Sequence, residues 1–217
     1  MEGKPARKSA VYSSVHEESS TGLTNQEADY EELGKGSIED LKRAVLELDC
    51  PLKKMSKNTV FSDGTPGSDI MLIGEAPGQE EDEQGKPFVG QSGMLLNNML
   101  MSIGVERRSA YITNVVYWRP PGNRTPSADE VALCLPYVKR HIILAKPKVI
   151  VLLGGVAVRA ILDTNVPISR LRGVSRKALG IDVVPTFHPA YLLRSPSQKL
   201  QAFKDFLLVR KILRISA

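Results

Sequence analysis

Asp69-Ile70-Met71-Leu72-Ile73-Gly74-Glu75-Ala76-Pro77-Gly78 is the stretch on which the fold turns. Four consecutive apolar residues follow neither the two-residue alternation of a half-buried strand nor the 3.6-residue period of a helix. A run this short, stopped by glycine, reads as a strand covered on both faces. Beyond it Met94, Leu95, Leu96, Met99, Leu100 and Ile103 recur on one broad helical face, which Gly104 closes. Strand, turn and helix therefore form one unit, and the pattern repeats outward. Residues 111–116 read as a second strand and 127–144 as a helix, with Ser127 as N-cap and Glu130 three positions on. Residues 149–153 give a third strand, 155–162 a helix, 183–186 a fourth strand and 197–213 a closing helix. Alternating strands and helices predict a single α/β domain with a central four-stranded parallel sheet flanked by helices on both faces.

Upstream, Ser37-Ile38-Glu39-Asp40 has the form of a capping box, and Leu41, Ala44, Val45 and Leu48 follow at helical spacing. The domain is therefore expected over residues 37–217. Residues 1–36 are rich in Ser, Glu, Gly and Thr, lack apolar periodicity, and are expected to be a disordered polar tail. Their seven acidic and four basic side chains contrast with 25 basic and 17 acidic in the remainder. A basic body fits an anionic partner such as nucleic acid, although many soluble proteins are mildly basic. Composition is that of a globular protein, with 42% apolar and 24% charged residues. No apolar run approaches the roughly 20 residues that span a bilayer, and no signal-peptide pattern opens the chain. Two cysteines, Cys50 and Cys134, exclude a disulfide framework. These points lead to the expectation of a cytoplasmic monomer with no membrane partner.

The unusual residues fall where the strands end. Glu75 follows the first strand, Asn114 lies near the end of the second, Gly154-Gly155 follows the third and His188 the fourth. Ligands of open α/β sheets bind outside the carboxyl ends of the strands, so the four signals point to one site. The loop from Gly74 to Asp82 is neither a dinucleotide nor a phosphate-loop motif. Glu75 is read as a general base or a partner for a developing cation, with a solvated loop acid as the competing reading. In Gly85-Lys86-Pro87-Phe88-Val89-Gly90 the aromatic ring suits stacking on a flat base, or alternatively a plug of the core. Asn114 offers a donor and an acceptor on one plane, matching uracil O4 and N3–H and opposing cytosine; a turn cap is the alternative. His188, stiffened by Pro189, is placed to stabilise negative charge on a departing base. Leu192, Leu193 and Arg194 then form an expected apolar wedge with a phosphate-binding head. Arg159, Arg170, Arg172, Arg176 and Lys177 are expected to contribute to a DNA-facing basic surface.

Taken in order, GEAPG-x-EED (74–82), GKPFVG (85–90), TNVV-x-WRPPGNR (113–124), LLGG (152–155) and HPAYLLR (188–194) resemble the family 4 uracil-DNA glycosylases over roughly residues 45–210. The resemblance implies a DNA-repair enzyme that flips uracil from single- or double-stranded DNA and hydrolyses its bond to the sugar. It implies catalytic roles for Glu75, Glu81 and His188, with uracil held by Gly74, Phe88, Asn114 and Asn123. Ser92, Gly154, Gly155, Leu192, Leu193, Arg194 and Arg172 are the implied DNA contacts. No nucleotide cofactor is implied, but a [4Fe–4S] cluster on four cysteines is usual in the family. Here Cys50 and Cys134 match two ligand positions, while Glu47 and Trp118 stand at the other two, so no cluster is expected. Competing readings are the same scaffold acting on hypoxanthine or xanthine, and a module that binds uracil or abasic DNA without turnover.

Overall fold

The computed structural model describes residues 34–215. The expected tail, apart from residues 34–36, lies outside them. Helix α1 (Ile38–Glu47) opens at Ser37 with the capping box in place: the Ser37 hydroxyl accepts from the Asp40 amide, and Asp40 returns a bond to the Ser37 amide. A 3-10 turn at Pro51–Met55 follows, then the two-residue strand β1 (Asp63–Gly64). The next elements are β2 (Ile70–Gly74), α2 (Gln79–Gln84), α3 (Gln91–Met101) and β3 (Ala110–Asn114). Helix α4 (Ala128–Ala145), capped by Ser127 and Glu130, leads to β4 (Val149–Leu153), α5 (Gly155–Leu162) and the short α6 (Ile168–Leu171). The chain closes through β5 (Arg176–Ala178), β6 (Ile181–Thr186), α7 (Pro189–Arg194) and α8 (Lys199–Leu213).

The sheet order is β1-β3-β2-β4-β6-β5. Its inner four strands are parallel, as the apolar runs predict. Two short antiparallel strands, β1 on β3 and β5 on β6, extend it at the edges. Alternate residues of each inner strand enter opposite cores. Met71, Ile73, Ile150, Leu152 and Val183 face α1, α4 and α5, whereas Ile70, Leu72, Val149, Val151 and Val184 face α3, α7 and α8. Strands buried on both faces read as unbroken apolar runs for this reason. Pairing between β2 and β3 continues past the regular ladder, since the amides of Val115 and Val116 donate to the carbonyls of Gly74 and Glu75. The predicted strand end at residue 116 reflects that extension.

Successive connections set the position of the site. From β2 the chain moves outward to β3, then crosses back to β4 on the other side of β2. The order reverses between β2 and β4, and loops diverging from such a point leave a crevice at the carboxyl ends of the strands.

Candidate active site

That crevice holds a pocket of about 1150 Å³. Each inner strand delivers one wall: Glu75 and the 76–81 turn follow β2, Asn114 ends β3, Gly154 and Gly155 follow β4, and Phe187 and His188 follow β6. Phe88, Ser92 and Asn123 enter from loops and the first turn of α3, and Leu193 and Arg194 from the end of α7. The structure thus brings together Glu75, Glu81, Phe88, Ser92, Asn114, Asn123, Gly154, Gly155, His188, Leu193 and Arg194.

Asn114 is buried, and its Oδ1 has no hydrogen-bond partner among the described residues. A buried carbonyl oxygen without a donor costs about 1–3 kcal/mol, which an incoming N–H can recover. Gly74 lies beside it. A Cβ there would collide with the Asn114 carboxamide and come within 2.5 Å of the Phe88 ring, so only glycine lets the two groups flank the strand end. The Phe88 ring is 5% exposed and belongs to one core, yet it also lines the pocket. Both readings of that residue describe it: one side of the ring plugs, the other is a wall. Its centroid is 5.5 Å from that of His188, tilted by 32°.

His188 caps α7 with its own ring, Nδ1 accepting from the Ala190 amide at 3.1 Å. Occupying Nδ1 as an acceptor fixes the proton on Nε2. Burial, reinforced by the Arg194 charge, pushes the imidazole pKa down to about 4, despite an opposing pull from Glu81. The ring is consequently a neutral donor. Behind it Gly154 adopts φ +97°, and a Cβ would lie 3.0 Å from that of His188. Glu75 is half-buried and its pKa is raised by burial, which a hydrogen bond from Thr125 and the Arg159 charge only partly offset. Thr125 was not anticipated; the dense turn at 119–125 was the available signal, but nothing local shows which of its side chains turns inward.

Glu81 is differently employed. Its Oε1 accepts from the amides of Val89 and Gly90 at 3.0 and 3.1 Å, and Oε2 from that of Gly78 at 3.1 Å. Both oxygens are tied to the loops they organise. Asn123 sits at φ +56° and accepts from Arg119 at 2.6 Å.

Two expected DNA contacts are corrected. Arg172 does not face a ligand: it forms a two-pronged pair with Asp205, with bonds of 3.0 and 2.7 Å, donates to the Gln201 carbonyl and lies 5.4 Å over the Phe187 ring. Leu192 is 1% exposed and packs in the core, so only Leu193 and Arg194 of the expected wedge reach the surface. Of the remaining basic residues, Arg159 and Arg170 are exposed, whereas Arg176 and Lys177 lie on the outer strand β5, where Lys177 pairs with Asp182.

The positions matching cluster ligands do not form a ligand set. Cys50 and Cys134 are fully buried free thiols in one core, and burial pushes the Cys134 thiol up to about 12, with Cys50 beside it adding to the shift. Trp118, in the same core, is 1% exposed with its indole nitrogen donating to Thr59 at 2.9 Å, while Glu47 is exposed. Two thiols and an indole do not fit a cluster that needs four soft ligands. Among the described residues no group of three or more His, Cys, Asp or Glu is arranged to hold a metal ion, and no helix is long and apolar enough to cross a membrane.

A doubly wound sheet whose strand ends carry a flat aromatic wall, an unsatisfied carboxamide, a neutral imidazole donor and a partly buried carboxylate defines a base-binding α/β hydrolytic site. The family model described as the Uracil DNA glycosylase superfamily matches residues 61–210. The chain belongs to that superfamily. It is similar to a type-4 uracil-DNA glycosylase of Thermotoga maritima, 44% identical over 70% of this chain and 80% of the relative. It also resembles type-4 uracil-DNA glycosylases of Sulfurisphaera tokodaii, 40% identical over 81% and 84% of the two chains, and of Archaeoglobus fulgidus, 38% identical over 78% and 90%.

Proposed function

We propose that this protein is a uracil-DNA glycosylase of the type-4 family, which excises uracil from DNA and leaves an abasic site. The observation that carries the reading is the unpartnered Asn114 Oδ1 in a pocket walled by Phe88 and His188. Uracil N3–H supplies the donor this oxygen lacks, and the carboxamide nitrogen faces O4. Cytosine presents the opposite polarity and would leave two buried groups unmatched. Unstacking the nucleotide costs about a few kcal/mol, recovered in part by stacking on Phe88.

In the chemical step the N1–C1′ bond breaks and its electron pair leaves with the base. His188 donates from Nε2 to the uracil anion as negative charge spreads from N1 to the exocyclic O2 carbonyl oxygen, so the base leaves as an anion rather than by full protonation. Glu75, beside Thr125, faces the sugar cation, orients the water whose oxygen adds to C1′ and takes the proton that this water sheds. Glu81 acts as a positioning residue, since its oxygens are already committed to three amides. Arg194 and Leu193 at the mouth meet the DNA. Action as a monomer in the cytoplasm, and a domain that needs nothing from residues 1–36, belong to the same proposal.

The test uses single- and double-stranded oligonucleotides containing U, hypoxanthine or xanthine, with alkali cleavage of the products. Strand breaks at U, without added metal or nucleotide, are expected. No breaks at U, with DNA binding intact, would leave a binding module; breaks confined to hypoxanthine or xanthine would transfer the reading to those bases.

A further inference from the structure

Phe88 holds a backbone conformation that its sequence does not favour. Its φ of +53° lies in the left-handed region, where an L-residue with a Cβ is strained. Something must hold it there, and the charges around the loop show what does. The Arg107 guanidinium donates through Nη2 to the Pro87 carbonyl at 2.7 Å and through Nη1 to the Phe88 carbonyl at 2.9 Å. From the other side Glu81 accepts from the next two amides, Val89 and Gly90. Three successive peptide groups, 87–88, 88–89 and 89–90, are therefore gripped, the first two by a cation on their carbonyls and the last two by an anion on their amides. Arg107 is itself aimed by Asp63, which accepts from Nε and Nη2 at 2.9 and 2.8 Å, and by Asn97, which accepts from Nη1 at 3.1 Å.

We propose that Arg107 is a positioning residue for base recognition: it clamps the 87–88 carbonyls so that the Phe88 ring stays in stacking register with the pocket. This rests on the uracil-excision reading above. Arg107 lies in the 3-10 turn Arg107–Ser109 that runs directly into β3, and β3 ends at Asn114. One rigid segment thus carries the edge-reading carboxamide at one end and the clamp for the stacking ring at the other, fixing the distance between face and edge recognition. The clamp needs a planar fork with several donors at set angles. A lysine ammonium supplies a charge but not that geometry.

The experiment is a double-mutant cycle on single-turnover excision from a U-containing oligonucleotide, using Arg107→Met, Arg107→Lys and Phe88→Ala, with melting temperature measured in parallel. Arg107→Met is expected to slow excision by about 10²-fold, the scale of a small misplacement transmitted from outside the reacting groups. Arg107→Lys should remain impaired. In the Phe88→Ala background the same Arg107→Met change should have little further effect on rate while still lowering the melting temperature, because the clamp acts through that ring. Equal rate losses with and without Phe88, no loss at all, or full rescue by lysine would each overturn the proposal. If Arg107→Met does not fold, Asp63→Ala, which removes the residue aiming the fork, runs the same cycle with the same criteria. A wild-type protein that excises no uracil would defeat the functional reading and overturn this proposal with it, whereas an active wild type with any of the three results above overturns the proposal alone.

Discussion

Glu75 and His188, the two site residues assigned to the chemical step, move in opposite directions. Burial raises the Glu75 pKa above its ordinary value, whereas burial and Arg194 lower that of His188 to about 4. On acidification Glu75 therefore gains its proton while His188 is still neutral. Excision needs Glu75 ionised, so we predict a rate that falls as pH drops through a midpoint above the ordinary carboxylate value. Glu75→Gln should abolish that limb and lower the rate by about 10²–10³-fold, and His188→Ala should cost a similar factor, with DNA binding little changed. Single-turnover rates against pH check both. A rate that climbs between pH 7 and 5 would mean that an imidazolium does the work. The types and positions of these residues were legible from the strand ends alone. The His188 tautomer was not, because it depends on the ring capping its own helix through Nδ1, a fact of local geometry that no spacing reveals.

Between elements, the misleading residues are those whose partners lie far along the chain. Arg172 sits in a basic stretch and resembles a phosphate contact, but Asp205, 33 residues on, projects from α8 and takes the guanidinium. Asp205 is fully buried and also accepts from Thr186 at 2.8 Å, so the trio ties α8 to the end of β6. Breaking a buried pair leaves an uncompensated charge and typically costs about 3–5 kcal/mol. We predict that Arg172→Ala lowers stability on that scale in denaturant unfolding and leaves the salt dependence of DNA binding unchanged. A shallower salt slope with normal stability would restore it to the DNA-binding surface. Leu192 was misplaced for a related reason. Residues 189–194 form about one and two-thirds helical turns, in which Leu192 shares the buried face with Pro189 while Leu193, about 100° further round, turns outward. Strands β1 and β5, two and three residues long, carry no periodicity of their own; their neighbours impose the pairing.

At the scale of the molecule, the site occupies one end of the sheet, and the first helix is fastened to the body on one face of it. In a cluster-bearing relative of the kind the motifs imply, iron would provide that fastening. Here the same place holds the Cys50 and Cys134 thiols and the indole of Trp118, all inside the core that joins α1 and α4 to the sheet. The substitution of an indole for a thiolate was plain in the sequence; that the ring is 1% exposed and bonded to Thr59 was not. Oxygen from an exposed Glu47 is a poor match for soft cluster iron, and Trp118 has no ligating atom. A large apolar ring can do by packing what a cluster does by coordination, because truncating a buried Trp typically costs about 3–5 kcal/mol. We therefore predict that Trp118→Ala destabilises by about that amount in equilibrium unfolding. Protein purified anaerobically should be colourless, with no broad absorption near 400 nm of the kind four-iron clusters give, and should carry no stoichiometric iron. About four irons per chain would overturn the packing account, and a Trp118→Ala protein as stable as the wild type would place the indole outside the fastening of α1.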